Sequence, residues 1–330
     1  KVQCIDIEKP EPKEGRALVR VRAAGICGSD IGAFRGTNPL VSFPRIIGHE
    51  IVGEVLSIPE DNARGIKAGD RVIVDPYLYC GTCYPCSVGR TNCCTDLKVL
   101  GVHVEGGMAE YMTHPADMLW KLPDDMPWDI APMAEPLTIA LHGIHRGELA
   151  AGEHVAIIGA GPIGLLTGIV LKHAGASKII ISDVDDARLA MCKEFGFETV
   201  NVKNESMIDY VNQATGNVGV DVVFECSGSE PSALEITKLC RIGGMICLTG
   251  VHKVPHAVNL QDVNFKEQTL VGSRVYTLRE FGQAVEYAKE IAPELEKIVT
   301  HVVPLAESEK VFDLIKDPGE MTVKVLVDCR

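Results

Sequence analysis

Apolar positions along the chain fall into two regimes. Over about the first 130 residues, stretches such as ALVRVRAAGI, IVGEVLSI and DRVIVDPYLY alternate or run apolar. They are rich in β-branched residues and punctuated by Gly and Pro, which predicts a β-rich region. From residue 154 the pattern changes. HVAIIGAG reads as a strand, IGLLTGIVLKHAG as a helix, KIIISDV as a strand and ARLAMCKEFG as a helix. DVVFECSG, GGMICLTG and TLVGSR read as further strands. Such alternation, with nearly continuous apolar strands, predicts a parallel sheet covered on both faces. The last fifty or so residues return to mixed character, with a helix near REFGQAVEYAKEI. The pattern therefore predicts one α/β domain, 137–272, inserted between a β-rich segment, 1–136, and a short return to it, 273–330.

Composition narrows the class. The chain has 330 residues, of which 46% are hydrophobic and 23% charged, the balance of a globular protein of about two domains. No apolar run is long enough to span a bilayer, and no signal-type segment opens the sequence, which begins with Lys1. A net charge of −13 argues against nucleic acid or an anionic membrane as partner. Five of the twelve cysteines crowd one loop, and the others are scattered through core-like segments. Reduced thiols and metal ligands in a cytoplasmic protein fit this better than a disulfide framework.

That loop, CGTCYPCSVGRTNCC, spaces Cys80, Cys83, Cys86 and Cys94 as C-x2-C-x2-C-x7-C. Four soft thiolates close a tetrahedral zinc shell and leave no place for substrate, so the lobe 80–94 reads as structural. Cys93 adjoins Cys94 and is the alternative fourth ligand.

Gly159-Ala160-Gly161-Pro162-Ile163-Gly164 reads G-x-G-x-x-G between an apolar strand and a helix. The first glycine serves a tight turn, the second lets backbone approach a pyrophosphate, and the third allows strand and helix to pack closely. The helix N-terminus then faces the diphosphate. Asp183 ends the next strand, nineteen residues after Gly164. A carboxylate there accepts from the adenosine ribose hydroxyls and repels a 2′-phosphate, favouring NAD. Arg188 is a candidate neighbour of the adenine, or else a solvated helix residue.

Three further motifs supply metal-ligand chemistry. GICGSD places Cys27 at a glycine-flanked turn, GHE places His49 beside Glu50, and AEPL places Glu135 just ahead of the inserted domain. Cys, His and Glu together suit a catalytic zinc with one open position. Singly, each has a plainer reading: Cys27 as a small buried hydrophobe, His49 and Glu50 as a hydrogen-bonded pair, Glu135 as a favourable charge at a helix start.

Together, GICGSD, GHE, the Cys80–Cys94 lobe, GGMAEY, EPLTIALHG, GAGPIG and Asp183 resemble the zinc-containing medium-chain alcohol dehydrogenases over nearly the whole chain. Glu135 in place of a cysteine ligand is typical of the polyol branch, with its sorbitol and threonine dehydrogenases. GRTNCC and VLGVHVEGGMAEY look similar to bacterial L-galactonate or L-gulonate 5-dehydrogenases. The resemblance implies a GroES-like catalytic domain interrupted by a Rossmann domain with a six-stranded parallel sheet. It implies two zincs per chain, NAD, and a homodimer or homotetramer. Cys27 and His49 match constant ligands of the catalytic zinc, and Glu50 or Glu135 matches the third. The implied reaction passes hydride from a secondary alcohol of a polyol or sugar acid, such as L-gulonate, L-galactonate or a hexitol, to NAD. Ser29 matches the hydroxyl that takes the substrate proton. Relatives often carry a relay histidine three residues further on, where this chain has Gly32, so the onward proton path must differ. Substrate candidates are Phe34, Arg35, His103, Glu105 and Arg274, the last also near the cofactor. L-Threonine 3-dehydrogenase is the alternative activity, and a non-catalytic NAD- and zinc-binding regulatory protein the alternative of another class.

Overall fold

The computed structural model describes residues 2–317 and 319–330. The chain forms two compact units, one from residues 1–135 and 277–330, the other from 136–276.

The first segment supplies β1 (Arg16–Gly25), β2 (Glu50–Ser57), β3 (Arg71–Val74), β4 (Tyr77–Leu78), β5 (Lys98–Val99), β6 (Tyr111–Pro115) and β7 (Leu119–Lys121). Alternation in β1 sends Ala17, Val19 and Val21 inward, where each is fully buried. The other unit supplies β8 (His154–Ile158), β9 (Lys178–Asp183), β10 (Glu198–Asn201), β11 (Val220–Glu225), β12 (Cys240–Leu248) and β13 (Thr269–Gly272). The chain then returns to the first unit with β14 (Val299–Pro304) and β15 (Lys324–Asp328).

The first unit is built on a seven-stranded sheet ordered β14-β15-β1-β2-β3-β7, with β6 also pairing to β1. Its core gathers Val19, Val21, Ile51, Val55, Val72, Leu119, Phe312 and Val327. Strands β1 and β2 are antiparallel, and Gly25 lies opposite Glu50. β15 flanks β1 on its other side. Residues at the end of β1 and near the starts of β2 and β15 are thereby brought to one place.

The second unit is the expected Rossmann-type sheet: six parallel strands in the order β10-β9-β8-β11-β12-β13. Its central strands β8, β9 and β11 are buried along nearly their whole length, as in Val155, Ala156 and Ile157 of β8. Helices such as Pro162–His173 and Glu230–Leu239 connect them. The sequence order reverses between β8 and β9 on one side and β8 and β11 on the other, which makes the C-terminal end of β8 the switch point of the sheet. Among the described residues no helix is long and apolar enough to cross a membrane.

Candidate metal centre and cofactor site

Among the described residues, two groups of metal-ligating side chains converge: Cys27, His49 and Glu50, and the four cysteines Cys80, Cys83, Cys86 and Cys94. Within each group the ligand atoms lie within 4.8 Å of one another.

The first group is assembled by local chain geometry. Cys27 caps the helix Gly28–Phe34, in extended conformation, directly after β1. His49 and Glu50 open β2. Asp30 ties the two segments together: one carboxylate oxygen accepts the Cys27 N–H at 2.9 Å, the other the Gly48 N–H at 3.2 Å. Asp30 is buried, and burial raises its pKa against the pull of His49 and the two backbone donors. Glu50 is clamped from both sides. Lys324 of β15 places its ammonium against the Glu50 carboxylate, with both side chains almost wholly inaccessible. On the other side lies Gly25, where any Cβ would collide with Glu50 Oε2, so only glycine fits.

The pocket is electrostatically poised for a cation. Burial alone would lower the His49 pKa, but Cys27, Asp30 and Glu135 outweigh it and hold it well above the usual imidazole value. Lys324 behaves likewise: burial opposes its charge, and Glu50, Cys27 and Glu135 hold its pKa above the usual value. Glu135 is buried in the first turn of the helix Ala134–Gly147, close enough for these charges to feel it, but outside the converging trio. His49 Nδ1 and Ser29 Oγ are buried without a hydrogen-bond partner. A sulfur, an imidazole nitrogen and a carboxylate, with orphaned polar atoms beside them, suit a zinc ion with room for a further ligand.

The second group closes on itself. Cys83 Sγ stands 3.4 Å from Cys86 Sγ and 3.9 Å from Cys94 Sγ. Backbone N–H groups of Cys80, Cys83 and Asp96 point at sulfurs of Cys94, Cys80 and Cys94. Amide donors from Thr95 and Cys86 bring the Cys83 thiol down to about 6, while burial pushes Cys86 up to about 12. Thiols must shed their protons to bind metal, so the pull on Cys83 is in the direction that metal binding needs. Cys94 is the fourth member, and Cys93 is exposed and outside the group.

In the second unit the G-x-G-x-x-G turn joins β8 to the helix Pro162–His173, with Gly161 at its N-cap and Pro162 and Ile163 in its first turn. Gly159 takes φ +104°, and Gly164 packs on the carbonyl of Gly159 too closely for a Cβ. Asp183 ends β9, and its carboxylate accepts from the backbone of Ala160 at 2.7 Å, Val184 at 2.7 Å and Asp185 at 3.0 Å. It therefore pins the glycine turn to its own strand, a role that the sequence did not suggest. The Arg188 guanidinium stands 3.9 Å from where a Gly161 Cβ would be, placing that cation beside the turn. The backbone N–H groups, helix N-terminus and flanking cation fit a dinucleotide diphosphate.

Both halves match family models. Residues 13–124 match the alcohol dehydrogenase GroES-like domain, and residues 162–290 match the zinc-binding dehydrogenase domain. An uncharacterized zinc-type alcohol dehydrogenase-like protein of Haemophilus influenzae is 42% identical over 97% of this chain and 93% of its own length. A 2-dehydro-3-deoxy-L-galactonate 5-dehydrogenase of Pseudoalteromonas atlantica is 35% identical over 96% of this chain and 93% of its own. The chain belongs to the zinc-containing medium-chain alcohol dehydrogenases. An alcohol dehydrogenase (rspB) of Escherichia coli CFT073, solved with NADH, superposes with a TM-score of 0.90 at 32% identity, covering 99% of this chain and 96% of that one. As a member of this family it is a zinc- and NAD(P)-dependent oxidoreductase.

The substrate candidates have partners of their own. Phe34 stacks on Phe312 with ring centroids 4.5 Å apart and lies under the Lys316 ammonium. Glu105 is spent on the 42–46 loop, accepting from Arg45 at 3.1 Å and the Ile46 N–H at 2.7 Å. The His103 imidazole accepts the Val99 N–H at 3.1 Å. Arg35 ends the helix Gly28–Phe34 and is exposed, as is Arg274 beyond β13. Asp30 and Lys324 were not foreseen. A charged residue inside the apolar run KVLVD was the available signal for Lys324, because burial of a lysine demands a partner.

Proposed function

We propose that this chain oxidises a secondary alcohol of a sugar acid or polyol to the ketone with NAD as hydride acceptor. The observation that carries the reading is the convergence of Cys27, His49 and Glu50 in a buried, anion-rich pocket beside the unpartnered Ser29 hydroxyl. Cys27, His49 and a carboxylate from Glu50 or Glu135 would hold the catalytic zinc, and the four cysteines of 80–94 the structural one. Bound zinc supplies Lewis acidity for an alcohol oxygen, and bound NAD the hydride acceptor.

The protein's own groups do the rest. Ser29 Oγ receives the alcohol proton. With Gly32 where relatives keep a histidine, nothing imidazole-like continues the path from that position. Thr37, whose N–H donates to the Gly32 carbonyl at 2.8 Å, is exposed and offers an exit towards solvent. Asp30 keeps the Cys27 and Gly48 backbones in register, and Lys324 keeps Glu50 in place. Asp183, facing the ribose side of the glycine turn, favours NAD over NADP, and Arg274 is the preferred cation for a substrate carboxylate. The sugar-acid class is supported by the resemblance of GRTNCC and VLGVHVEGGMAEY, and by the name of the Pseudoalteromonas relative. A homodimer or homotetramer in the cytoplasm completes the proposal. β13 is an edge strand of the six-stranded sheet, a ready place for a second copy to pair.

The test is NADH formation across L-gulonate, L-galactonate, their 2-dehydro-3-deoxy analogues, hexitols and L-threonine. Preferential turnover of a hexonate or hexitol is expected. Preference for threonine would move the enzyme to the threonine dehydrogenases, and zinc-loaded, NAD-binding protein inert towards all of them would favour a regulatory role.

A further inference from the structure

The helix Leu278–Glu290 buries Phe281, Ala284, Val285 and Ala288 against the first unit. Its start is fixed by a capping box between Thr277 and Glu280. Near its end the Lys289 ammonium stands 3.0 Å from an Asp125 carboxylate oxygen. That leaves three of its charged side chains, Arg279, Glu286 and Glu290, all exposed and, among the described residues, without an ion pair. The same three line one groove of about 570 Å³, together with Gln283, Tyr287 and Trp120 of β7. Lys121 also borders the groove, but its ammonium is spent on Asp70 at 2.8 Å.

These charges stand against the electrostatics of their own helix. Arg279 lies in the first turn, where the helix dipole favours acids, and Glu290 is the last residue, where it favours cations. Glu286 and Glu290 are four residues apart on one face and repel each other. Among the described residues no ion pair offsets either penalty. The groove floor is rigid. Gly282 stands mid-helix where a Cβ would come within 2.4 Å of Trp120 Cζ3, and the Arg64 guanidinium lies 3.4 Å from the centroid of the indole.

A second copy of this helix, laid antiparallel, supplies what the face lacks. Residues seven and eleven apart recur on one face, so Arg279, Glu286 and Glu290 form a stripe with Gln283. A two-fold axis level with Ala284 and Val285 sets Arg279 against Glu290 of the second copy. It also sets Gln283 against Glu286 and Gly282 against Tyr287. Cation then meets carboxylate, an amide donor meets carboxylate, and a tyrosine ring meets the notch over Trp120. Symmetry makes every pair twice.

We propose that the helix Leu278–Glu290 pairs antiparallel with the same helix of a second copy of this chain. This rests on the reading of the chain as a homo-oligomer, and adds a contact in the first unit to the edge open at β13. One helix pair covers less than the roughly 1,200 Å² of a stable interface, so it reinforces an assembly rather than holding one alone.

The test is sedimentation velocity of the whole zinc-loaded protein over a dilution series, reading the concentration at which the assembly falls apart. Arg279→Glu and Glu290→Arg each set like charges against each other twice, and each is expected to raise that concentration at least about tenfold. Both substitutions suit the helix dipole, so a lowered melting temperature is not expected to confuse the result. The double variant exchanges the charges and restores the pairing, and is expected to return to within about threefold of the parent. Salt at about 0.5 M should weaken the parent, because exposed pairs are screened. Single variants that assemble like the parent, or a double variant as weak as the singles, overturn the proposal. A parent that assembles but ignores all three variants overturns this contact alone, whereas a parent that is monomeric at every concentration overturns the homo-oligomer reading with it.

Discussion

At the scale of single residues, the pairing of Lys324 with Glu50 decides the character of the metal pocket. Both are buried, so removing one leaves an uncompensated charge. Lys324→Met is expected to cost about 3–5 kcal/mol in the metal-free protein. Zinc then becomes the carboxylate's remaining cation, so added zinc should raise the melting temperature of the variant more than that of the parent. Equal zinc shifts in both would refute the link. His114 gives a pH prediction. It is fully buried, its Nε2–H donates to the Asp75 carbonyl at 2.9 Å, and burial pushes its pKa down to about 3. The unfolded chain binds the proton first as pH falls, so this group stabilises the fold above about 6.5 and loses that contribution on the way down to about 3. The loss is about 1.4 kcal/mol per pH unit within that window. His114→Gln should flatten the dependence of unfolding free energy on pH between these limits, and an unchanged slope would exclude His114 as its source. Cys27, His49 and Glu50, which the structure brings together, stand in short glycine-flanked motifs, but each motif alone has a plainer reading and the ligand set came from the family resemblance. Lys324 escaped because its partner is 274 positions away, and periodicity encodes the face of a strand rather than what meets it. Asp183 was read only as a ribose acceptor, since a backbone contact to the neighbouring turn leaves no mark in spacing.

At the scale of elements, the sequence pattern showed the strands β8, β9, β11, β12 and β13 of the inserted unit and its first helices, but not β10 or the helices Met207–Ala214, Glu230–Leu239 and Leu260–Phe265. Its central strands are buried on both faces, so their apolar runs stand out. β15 was not foreseen, because a short apolar run amid mixed sequence carries no period to separate strand from helix. The cysteine lobe is the clearest element-scale test. Its sulfurs converge with Cys94, and Cys93 faces out. Cys94→Ser should release the structural zinc and loosen the 80–94 loop to proteolysis, whereas Cys93→Ser should leave zinc content unchanged. Zinc loss from the Cys93 variant alone would reverse the assignment. The substrate-facing residues were least legible. Phe34 also stacks on Phe312 and Glu105 braces the 42–46 loop, contacts that follow only from three-dimensional neighbours.

At the scale of the whole molecule, metal ligands and dinucleotide turn reside in different compact units. Each has its own core. Cys27→Ala should therefore abolish turnover and empty the catalytic zinc site while leaving the NADH dissociation constant within about twofold, a change too small to represent one lost hydrogen bond. Loss of NADH affinity in that variant would show that the units share more than a chain. The route of that chain has a further consequence. Cys27, His49 and Glu50 are synthesised early, but β15, which brings Lys324 to Glu50, is made only after the entire inserted unit. The ammonium that closes this pocket is thus the last of its charged groups to be made, after Cys27, Asp30, His49, Glu50 and Glu135.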